Sequence, residues 1–427
     1  MATQVNPPRG MRDFLPADKA QRERVLGVIR ESYRAHGFDE IETPVMEDSD
    51  RLHAGLGGDN EKLAFAVMKR ALKPEDFAAA TDALDLADLG LRFDLTVPLA
   101  RFYASHRGDL PTVFRSIQIA PVWRAERPQK GRYRQFMQCD IDILGEAGPI
   151  AEVELITATA ATLEALGLAG CSIRVNDRRL LVSSLTIFGF APEEHDAVLI
   201  TIDKLDKIGN EGVVAELRQR GFTPTAVDAL EAFFARPTTM ELLPFGEDAI
   251  RKALPHGVDP IAVAELAAIG RAVEEGRGEG EPIVQFDPWL VRGMGNYPGT
   301  IFAVAHPSLG YSLGGGGRYD GMIGRFLGSD VPAAGFSLGF ERLVDLVELP
   351  EAEGVDATAL VHDPNMPPAQ LVALQAQLIA NGGRVRLERR PKNLKPLLAQ
   401  LAASGFTRFS LVSAGATVES LEFKALD

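Results

Sequence analysis

The end of the chain constrains the fold most, because candidate strands and helices alternate there from about residue 353 onward. The strands are ATALV, RVRLE and TRFSLV, and the helices that follow the first two are PPAQLVALQAQLIANGG and KNLKPLLAQLAASG. Regular alternation of strands with helices is typical of a parallel sheet that helices cover. The pattern therefore predicts a separate small α/β domain over residues 353–427.

The preceding part of the chain predicts a different architecture. Residues 180–285 follow a largely helical pattern, and strand candidates lie on both sides of them. The clearest candidates are DEIETPVME, LGLRFDLTVPLARF, FMQCDIDILG and the small-residue strand AAGFSLG, which runs into a helix. A chain of 427 residues exceeds the ~250–300 residues of a single hydrophobic core, so we expect two or three domains.

Composition and charge exclude several classes of function. The chain has 45 Lys and Arg residues against 59 Asp and Glu residues, a net charge of −14. This charge argues against indiscriminate nucleic-acid binding, which depends on neutralising phosphates, but it leaves a specific nucleic-acid partner open. The seven histidines are scattered without metal-ligand spacing, so we expect no metal held by a protein cage.

Two further features indicate the compartment. The opening residues MATQVNPPRGMRDFLP lack the apolar stretch of a secretory signal, and no run of about 18 apolar residues predicts a membrane span. The two cysteines, Cys139 and Cys171, are too few for a disulfide framework and fit a reducing compartment. We therefore expect a cytoplasmic protein without a membrane segment.

The segment WRAERPQKGRYRQF, residues 123–136, concentrates positive charge in an acidic protein. Five of the eleven positions from 124 to 134 are basic: Arg124, Arg127, Lys130, Arg132 and Arg134. One interpretation is a solvated turn between two strands. The other is a phosphate-binding loop, which the aromatic neighbours Tyr133 and Phe136 and the excess of arginine over lysine favour. The loop alone leaves both interpretations open.

Three other segments carry candidate ligand contacts. Alternation in FMQCDIDILG places Gln138, Asp140 and Asp142 on one face of a strand. GGGGRYDG matches neither GxGxxG nor a P-loop, so it predicts either a flexible hairpin turn or a close approach of a ligand to the backbone. In GFERL, Arg342 falls in the first turn of a helix, where a cation opposes the macrodipole, and this placement indicates a ligand role.

Four segments in this order, RPQKGRYRQF, LVRGMGNYPGTIF, GGGGRYDG and GFSLGFERL, resemble histidyl-tRNA synthetase, a class II aminoacyl-tRNA synthetase family. The resemblance begins at PPRGMRDFLP and covers nearly the whole chain. WRAERPQKGRYRQF is similar to motif 2 and GFSLGFERL to motif 3. The helix and strand that end at Pro44 are similar to motif 1, which forms the dimer interface in class II enzymes. HIGH and KMSKS signals of class I enzymes are absent.

The resemblance implies the fold class and the domain boundaries. The expected class is α+β, with a class II synthetase antiparallel sheet flanked by helices, a helical insertion and a C-terminal α/β anticodon-binding domain. The catalytic core would comprise residues 1–178 and 285–348, the insertion residues 179–284, and the anticodon-binding domain residues 353–427. A basic cluster in the terminal domain suits that last role: Arg384, Arg386, Arg389, Arg390, Lys392 and Lys395.

The resemblance also implies a reaction, the ATP-dependent ligation of L-histidine to tRNA(His) through histidyl-adenylate. Mg²⁺ would be held mainly by the ATP phosphates, and the partners would be histidine, tRNA(His) and a second copy of the chain. Two alternatives remain at this point. One is a catalytically weak paralogue that serves as a binding or regulatory module, and the other is the synthetase-like regulatory subunit of ATP phosphoribosyltransferase.

Residue roles follow from the same resemblance. The residues implied to bind ATP are Arg124, Glu126, Phe136 and Arg342, with Phe136 and Arg342 on opposite faces of the adenine ring. Those implied to act on the reacting phosphate and carboxylate are Arg124, Arg292 and Arg132. The implied histidine pocket comprises Asp94, Gln138, Asp142, Tyr297 and Tyr319. The implied contacts to the tRNA acceptor end are Arg127, Gln129 and Lys130.

One segment departs from the family pattern. The family has a sequence like RGLDYYTGTVFE where this chain has RGMGNYPGTIFA. Arg292 and Tyr297 are retained, but the substituted positions are Gly295, Asn296, Pro298 and Ala303. The loss of a carboxylate and an aromatic ring beside the pocket predicts weaker histidine binding or activity.

Overall fold

The computed structural model describes residues 5–54, 62–129, 131–168, 170–236, 245–277, 282–292, 297–350 and 357–426. The chain divides into two compact units, the first formed by Met1–Arg12 and Val25–Val347 and the second by Asp13–Arg24 and Glu348–Asp427. The predicted insertion, residues 179–284, falls within the first unit, so its boundaries stay a prediction.

Eleven strands are described in the first unit. Their bounds are β1 (Asp39–Glu40), β2 (Met46–Asp48), β3 (Phe65–Met68), β4 (Ala87–Leu91), β5 (Phe114–Trp123), β6 (Gln135–Leu144), β7 (Ser172–Asp177), β8 (Val284–Phe286), β9 (Thr300–Ala305), β10 (Gly314–Arg318) and β11 (Ala333–Gly339). Eight of them form one sheet in the order β1-β5-β6-β11-β10-β9-β7-β8, and β2, β4 and β3 form a second, three-stranded sheet.

Helices precede, separate and follow these strands, and the first helix begins in the second unit. The long α1 (Pro16–Ala35) is followed by α2 (Ser49–Leu52), α3 (Pro74–Ala79), α4 (Thr96–His106), α5 (Ile150–Ala165), α6 (Arg178–Phe188), α7 (His195–Ile202), α8 (Leu205–Gln219), α9 (Pro224–Phe234), α10 (Glu247–Ala253), α11 (Pro260–Arg277), α12 (Asp320–Leu327) and α13 (Phe340–Leu343). The described part of the stretch from α6 to α11 is largely helical, as its pattern predicts. Buried residues such as Leu185, Val198, Val213 and Leu230 form a hydrophobic core cluster there.

The large sheet brings the sequence motifs side by side. Strands β5 and β6 are antiparallel partners, and the basic loop of residues 124–134 connects them. Strand β11 pairs with β6 on one side and β10 on the other, so that Gly335 lies opposite Asp142 and Gly316 opposite Phe336. GGGGR is therefore a strand within the sheet rather than a hairpin turn. Its glycines allow the close approach of neighbouring groups.

Two strand predictions were wrong in part. LGLRFDLTVPLARF is a strand only as far as Leu91, and α4 begins at Thr96. Val97, Ala100 and Tyr103 are spaced three residues apart and are buried on one helical face, so packing of that face decides the conformation. Short apolar runs are ambiguous between strand and helix in sequence alone.

DEIETPVME is likewise not one strand, because β1 ends at Glu40 and β2 begins at Met46 in the other sheet. The carbonyl oxygens of the residues between them are satisfied by a buried arginine instead of a strand ladder. Arg92 Nη1 donates to the carbonyl oxygens of Thr43 at 2.8 Å and Pro44 at 3.2 Å. Pro44 has no amide hydrogen to donate, which favours this interruption.

The second unit contains a four-stranded sheet in the order β13-β12-β14-β15. Its elements are β12 (Ala357–His362), α14 (Pro368–Ala380), β13 (Arg384–Arg389), α15 (Leu394–Ala403), β14 (Arg408–Val412) and β15 (Lys424–Ala425). The first three strands are parallel and β15 is antiparallel to β14. Buried Leu371 of α14 and Leu401 of α15 belong to two separate core clusters, which gives the predicted α/β arrangement. No helix in the described ranges is long and apolar enough to cross a membrane.

Candidate active site

A cavity of about 480 Å³ lies against the large sheet where the predicted motifs meet. Arg124, Arg292 and Arg342 all line it, although they are far apart in the sequence. Other lining residues belong to the sets expected from the sequence for ATP, for histidine and for the reacting groups: Asp94, Glu126, Arg132, Phe136, Gln138, Tyr297 and Tyr319. The structure thus gathers guanidinium, carboxylate and aromatic groups in one space.

Arg124 is the first residue of the β5–β6 loop, and two contacts fix its side chain. Its Nε donates to the carbonyl oxygen of Phe93 at 2.9 Å, and its guanidinium carbon lies 5.0 Å from the centroid of the Phe136 ring. Burial lowers the pKa of Arg124, while the nearby carboxylate of Asp94 acts in the opposite direction. A desolvated and fixed cation of this kind attracts an anion more strongly than a solvated one.

Arg342 lies in α13 and also lines the cavity. Its Nη1 donates to the carbonyl oxygen of Ser312 at 2.6 Å, and its guanidinium carbon lies 4.7 Å from the Tyr311 ring centroid. Helix α13 has only four residues, so the macrodipole argument for Arg342 does not apply. Burial lowers the pKa of Arg342, and the positive charge of Arg132 contributes to the same shift.

Arg292 lies over the glycine strand β10. A Cβ atom at Gly315 would come within 3.6 Å of Arg292 Nε, and one at Gly317 would come within 3.1 Å of the Tyr297 ring. These two glycines therefore leave room for the guanidinium and the ring above the sheet. Burial lowers the pKa of Arg292, and Asp203 opposes that shift.

Asp142 and Tyr319 form a buried pair beside the cavity. The Tyr319 hydroxyl donates to Asp142 Oδ1 at 2.6 Å. Burial raises the pKa of Asp142 to about 7, against the hydrogen bond from Tyr319, which lowers it. A Cβ atom at Gly335 would lie 2.0 Å from Asp142 Oδ1, so only glycine on β11 accommodates this carboxylate.

Asp140, to which the family resemblance assigns no role, also lines the cavity and is only 4% exposed. The Ser337 hydroxyl donates to Asp140 Oδ1 at 2.5 Å, and Gln138 Nε2 donates to Asp140 Oδ2 at 3.2 Å. Burial raises the pKa of Asp140 well above its ordinary value, and the charge of Asp142 adds to the shift. The signal was present in the sequence, since Asp140 shares a strand face with Gln138 and Asp142.

The residues expected at the tRNA acceptor end lie elsewhere. Arg127 and Gln129 are exposed at the tip of the β5–β6 loop and do not line the cavity, and Lys130 lies outside the described residues. Arg132 is exposed as well, but it lines the cavity and its Nη1 lies 3.5 Å from Glu126 Oε2. Within the described ranges no group of three or more His, Cys, Asp or Glu side chains could hold a metal ion.

A sequence model described as histidyl-tRNA synthetase matches residues 10–343 of this chain. A curated histidine–tRNA ligase from Leifsonia xyli is 60% identical over 100% of this chain and 99% of its own length. The chain belongs to the histidyl-tRNA synthetase family.

Other members of the histidyl-tRNA synthetase family are more distant. A histidine–tRNA ligase from Aeropyrum pernix is 38% identical over 79% of this chain and 73% of its own length. The solved histidyl-tRNA synthetase from Nostoc has a TM-score of 0.76 and 26% identity, and the match covers 99% of this chain and 95% of that one. The predicted fold class is confirmed by this match and by the terminal α/β sheet.

A further solved structure, from Bacillus halodurans, is described as an ATP phosphoribosyltransferase regulatory subunit/histidyl-tRNA synthetase. It has a TM-score of 0.75 at 22% identity and covers 97% of this chain and 100% of that one, so it bears on the fold alone.

The departures from the family segment have a partial structural account. Ala303 is buried in β9 and belongs to the core cluster that includes Val291 and Ile301. An apolar side chain there adds to the core in place of the family's glutamate. Pro298 borders a second cavity of about 300 Å³, and Gly295 and Asn296 lie outside the described residues.

Proposed function

We propose that this chain ligates L-histidine to tRNA(His) through a histidyl-adenylate intermediate. The observation that carries the proposal is the convergence of Arg124, Arg292 and Arg342 on one cavity beside the Asp142–Tyr319 pair. The guanidinium groups suit a nucleoside triphosphate, and the buried polar pair suits an imidazole. Membership of the histidyl-tRNA synthetase family supports the same reaction.

ATP would occupy the part of the cavity between the β5–β6 loop and α13. Phe136 and Arg342 both line this part, and they would hold opposite faces of the adenine ring by stacking and by cation–π contact. Glu126 would accept a hydrogen bond from the adenine amino group. Arg124 would bind the α-phosphate, where a charge-assisted contact contributes about 1.5–3 kcal/mol.

Mg²⁺ would enter with ATP and bind mainly to phosphate oxygens and water, as a hard cation that retains several waters does. Four carboxylates line the cavity, those of Asp94, Glu126, Asp140 and Glu341, and two of them already have a cationic partner, Glu126 in Arg132 and Glu341 in Arg12. The bound ion would neutralise charge on the β- and γ-phosphates.

The first step is an in-line attack by a carboxylate oxygen of histidine on the α-phosphorus of ATP. The new P–O bond forms as the bond to pyrophosphate breaks. This reaction requires positioning and fixed positive charge rather than covalent help from the protein. Arg124 and Arg292 would stabilise the charge on the α-phosphate oxygens, and Arg132 would lie near the reacting groups.

In the second step a ribose hydroxyl at the 3′ end of tRNA(His) attacks the carbonyl carbon of the adenylate, and AMP leaves. Arg127, Gln129 and Lys130 would contact the acceptor end. The described members of this group, Arg127 and Gln129, are exposed, as a macromolecular contact requires. We assign tRNA clamping rather than editing to the helical insertion of residues 179–284, because a pocket that selects histidine by hydrogen bonds leaves no need for a hydrolytic domain.

Histidine would bind where the sheet is most polar. Asp94 and Gln138 would contact its α-ammonium group, and Asp142, Tyr297 and Tyr319 its imidazole. Buried groups that require a hydrogen-bonding substrate reject analogues lacking those bonds by about 10⁴–10⁵. Selection by such a pocket removes the need for a separate editing reaction.

The second unit would bind the anticodon. Its exposed basic residues include Arg384, Arg389, Arg390, Lys392 and Lys395. The guanidinium carbons of Arg384 and Arg386 each lie 4.5 Å from the Phe406 ring centroid, so cations and an aromatic face are combined as in single-stranded RNA recognition.

A second copy of the chain would cover the three-stranded sheet. Met46, Leu91 and Phe65 lie opposite one another across its strands, and Leu89 pairs with Val67 on the same face. All five side chains are partly or fully exposed, which is unfavourable for an apolar sheet face in water. Sedimentation velocity should show twice the chain mass, and Met46→Asp should shift the protein to the monomer; a monomeric parent protein would contradict the homodimer.

The cytoplasm is the proposed compartment, since both cysteines are buried and free, as a reducing environment favours.

Histidine-dependent ATP–pyrophosphate exchange by the purified chain tests the proposed reaction. Label should pass from pyrophosphate into ATP only when histidine is present. Bound ATP without exchange would indicate a binding or regulatory module instead. Transfer of labelled histidine to tRNA(His) then tests the second step, with a tRNA for another amino acid as the control.

A further inference from the structure

The N-terminal segment around Gly10 lies across the base of the β5–β6 loop. The carbonyl oxygen of Gly10 accepts a hydrogen bond of 2.8 Å from the amide of Arg134. Gly10 has a φ of +83°, and a Cβ atom there would lie 2.7 Å from Cγ of Pro128. The segment therefore fits closely against the loop, and its conformation requires glycine.

Arg12 extends this contact to a second element. Its guanidinium carbon lies 3.5 Å from the centroid of the Tyr133 ring, and its Nη2 pairs with Glu341 Oε2. The Glu341 side chain is only 6% exposed, and its other oxygen accepts a hydrogen bond of 3.2 Å from the Met137 amide. One guanidinium thus contacts the loop through a ring and α13 through a buried carboxylate.

Both contacts adjoin groups that line the cavity. Tyr133 lies between Arg132 and Arg134 in the loop, and Glu341 precedes Arg342 in α13. Tyr133 and Glu341 themselves line the cavity. Phe136, at the start of β6 directly after the loop, and Arg342 of α13 are proposed to contact opposite faces of the base, so the position of the loop end relative to α13 determines how well a planar base fits between them.

We propose that Arg12 is a positioning residue for nucleotide binding, which fixes the β5–β6 loop relative to α13 through Tyr133 and Glu341. The role rests on the proposed function, since it concerns the ATP part of that site. Arginine suits it because a planar guanidinium can stack on a ring while it pairs with a carboxylate. Lysine would keep the charge opposite Glu341 but lose the planar stack.

The test uses the full chain with Arg12→Met and Arg12→Lys, and with Arg115→Met as a matched control. Arg115 also pairs with a glutamate, Glu154 at 2.5 Å, and its side chain is 29% exposed against 31% for Arg12. Neither Arg115 nor Glu154 lines the cavity. The control therefore reports the loss of a similar ion pair outside the site.

In the exchange assay, Arg12→Met should raise the KM for ATP about tenfold, because a partly buried ion pair and a cation–π contact are lost. The KM for histidine should change less than about twofold. Arg12→Lys should give an intermediate KM for ATP. Arg115→Met should change neither constant. An equal rise in both constants, or the same change in Arg115→Met, would overturn the positioning role.

Hydrogen–deuterium exchange provides a readout that is independent of catalysis. Amides of residues 124–134 should exchange faster in Arg12→Met, because the Arg134 amide loses its ordered acceptor on Gly10, and should be unchanged in Arg115→Met. Unchanged exchange in Arg12→Met would overturn the inference even in an active enzyme. Faster loop exchange in a chain without pyrophosphate exchange would support the positioning role and contradict only the proposed reaction.

Discussion

The hydroxyl of Tyr319 donates a hydrogen bond of 2.6 Å to a carboxylate oxygen of Asp142, and both side chains are buried. The bond favours the ionised carboxylate, whereas burial favours the protonated form and raises the pKa of Asp142 to about 7. The proposed imidazole partner therefore titrates within the physiological pH range.

The affinity for histidine should increase as the pH rises from about 6 to 8, because Asp142 then loses its proton and can accept a hydrogen bond from the imidazole. Tyr319→Phe removes a bond that lowers the pKa of Asp142, so it should move the midpoint to higher pH. Measurement of the KM for histidine across this range checks both effects. In the control Asp142→Asn, residue 142 cannot titrate, so the pH dependence that remains comes from the substrate histidine. A pH profile identical to that of the parent protein would rule out Asp142 as the titrating group.

Arg292→Ala should abolish histidine-dependent exchange and largely spare ATP binding. The guanidinium over Gly315 is proposed to act on charge that develops at the α-phosphate, where the loss of one such group costs about 10²–10³ in rate. Exchange kinetics and calorimetric ATP titration measure the two quantities separately. A matched control is Arg277→Ala. Arg277 pairs with Glu164 at a distance of 2.6 Å, and neither residue lines the cavity. Equal losses of exchange and ATP binding in Arg292→Ala would show that Arg292 contributes to binding of ATP before the reaction rather than to the reaction itself.

Gly335→Ala should weaken histidine binding, because the new Cβ atom would lie 2.0 Å from Asp142 Oδ1 and displace that carboxylate. The KM for histidine should rise more than the KM for ATP. Gly276→Ala, in α11 with nothing within 4 Å of the added atom, should instead stabilise the fold by about 0.5–1 kcal/mol. An unchanged KM for histidine in Gly335→Ala would show that the position of the Asp142–Tyr319 pair does not determine histidine binding.

Arg318→Met should destabilise the first unit by about 3–5 kcal/mol, because it leaves the carboxylate of Glu152 buried without its cation. Arg318 donates to both oxygens of Glu152 at 2.6 Å, and the glutamate side chain is only 3% exposed. Urea unfolding followed by fluorescence measures the change. Arg218→Met breaks exposed pairs with Asp228 and Glu231 and should leave the unfolding midpoint unchanged. Similar midpoints for the two variants would contradict the burial argument.

The strand face of FMQCDIDILG could be read from the sequence because side-chain direction alternates along a strand. This face and the family resemblance together predict that Gln138 and Asp142 contact the substrate. The sequence does not predict the surroundings of Asp140 on the same face, since only the fold shows that Ser337 of β11 lies beside it. The contact of Arg12 with Glu341 spans most of the chain, and local patterns carry no information about such a distance in sequence.

The glycine segment and the short apolar runs were harder to predict for a related reason. Gly315 and Gly317 form a strand because β9 and β11 supply hydrogen-bond partners on both sides. Glycine has little strand propensity of its own, so the neighbours decide the conformation. The segment after Leu91 is helical because one of its faces is buried, and the burial depends on elements that lie far away in the sequence.

Arg92 links the exposed end of the motif 1 segment to the backbone beside Asp94. Its guanidinium binds the carbonyl oxygens of Thr43 and Pro44, and its amide donates to the carbonyl oxygen of Val45 at 3.1 Å. A second copy of the chain that contacts the neighbouring Met46 would therefore contact the segment that Arg92 holds. Asp94, two residues after Arg92, lines the substrate cavity. In the proposed homodimer, the activity per chain should therefore fall when dilution separates the two copies.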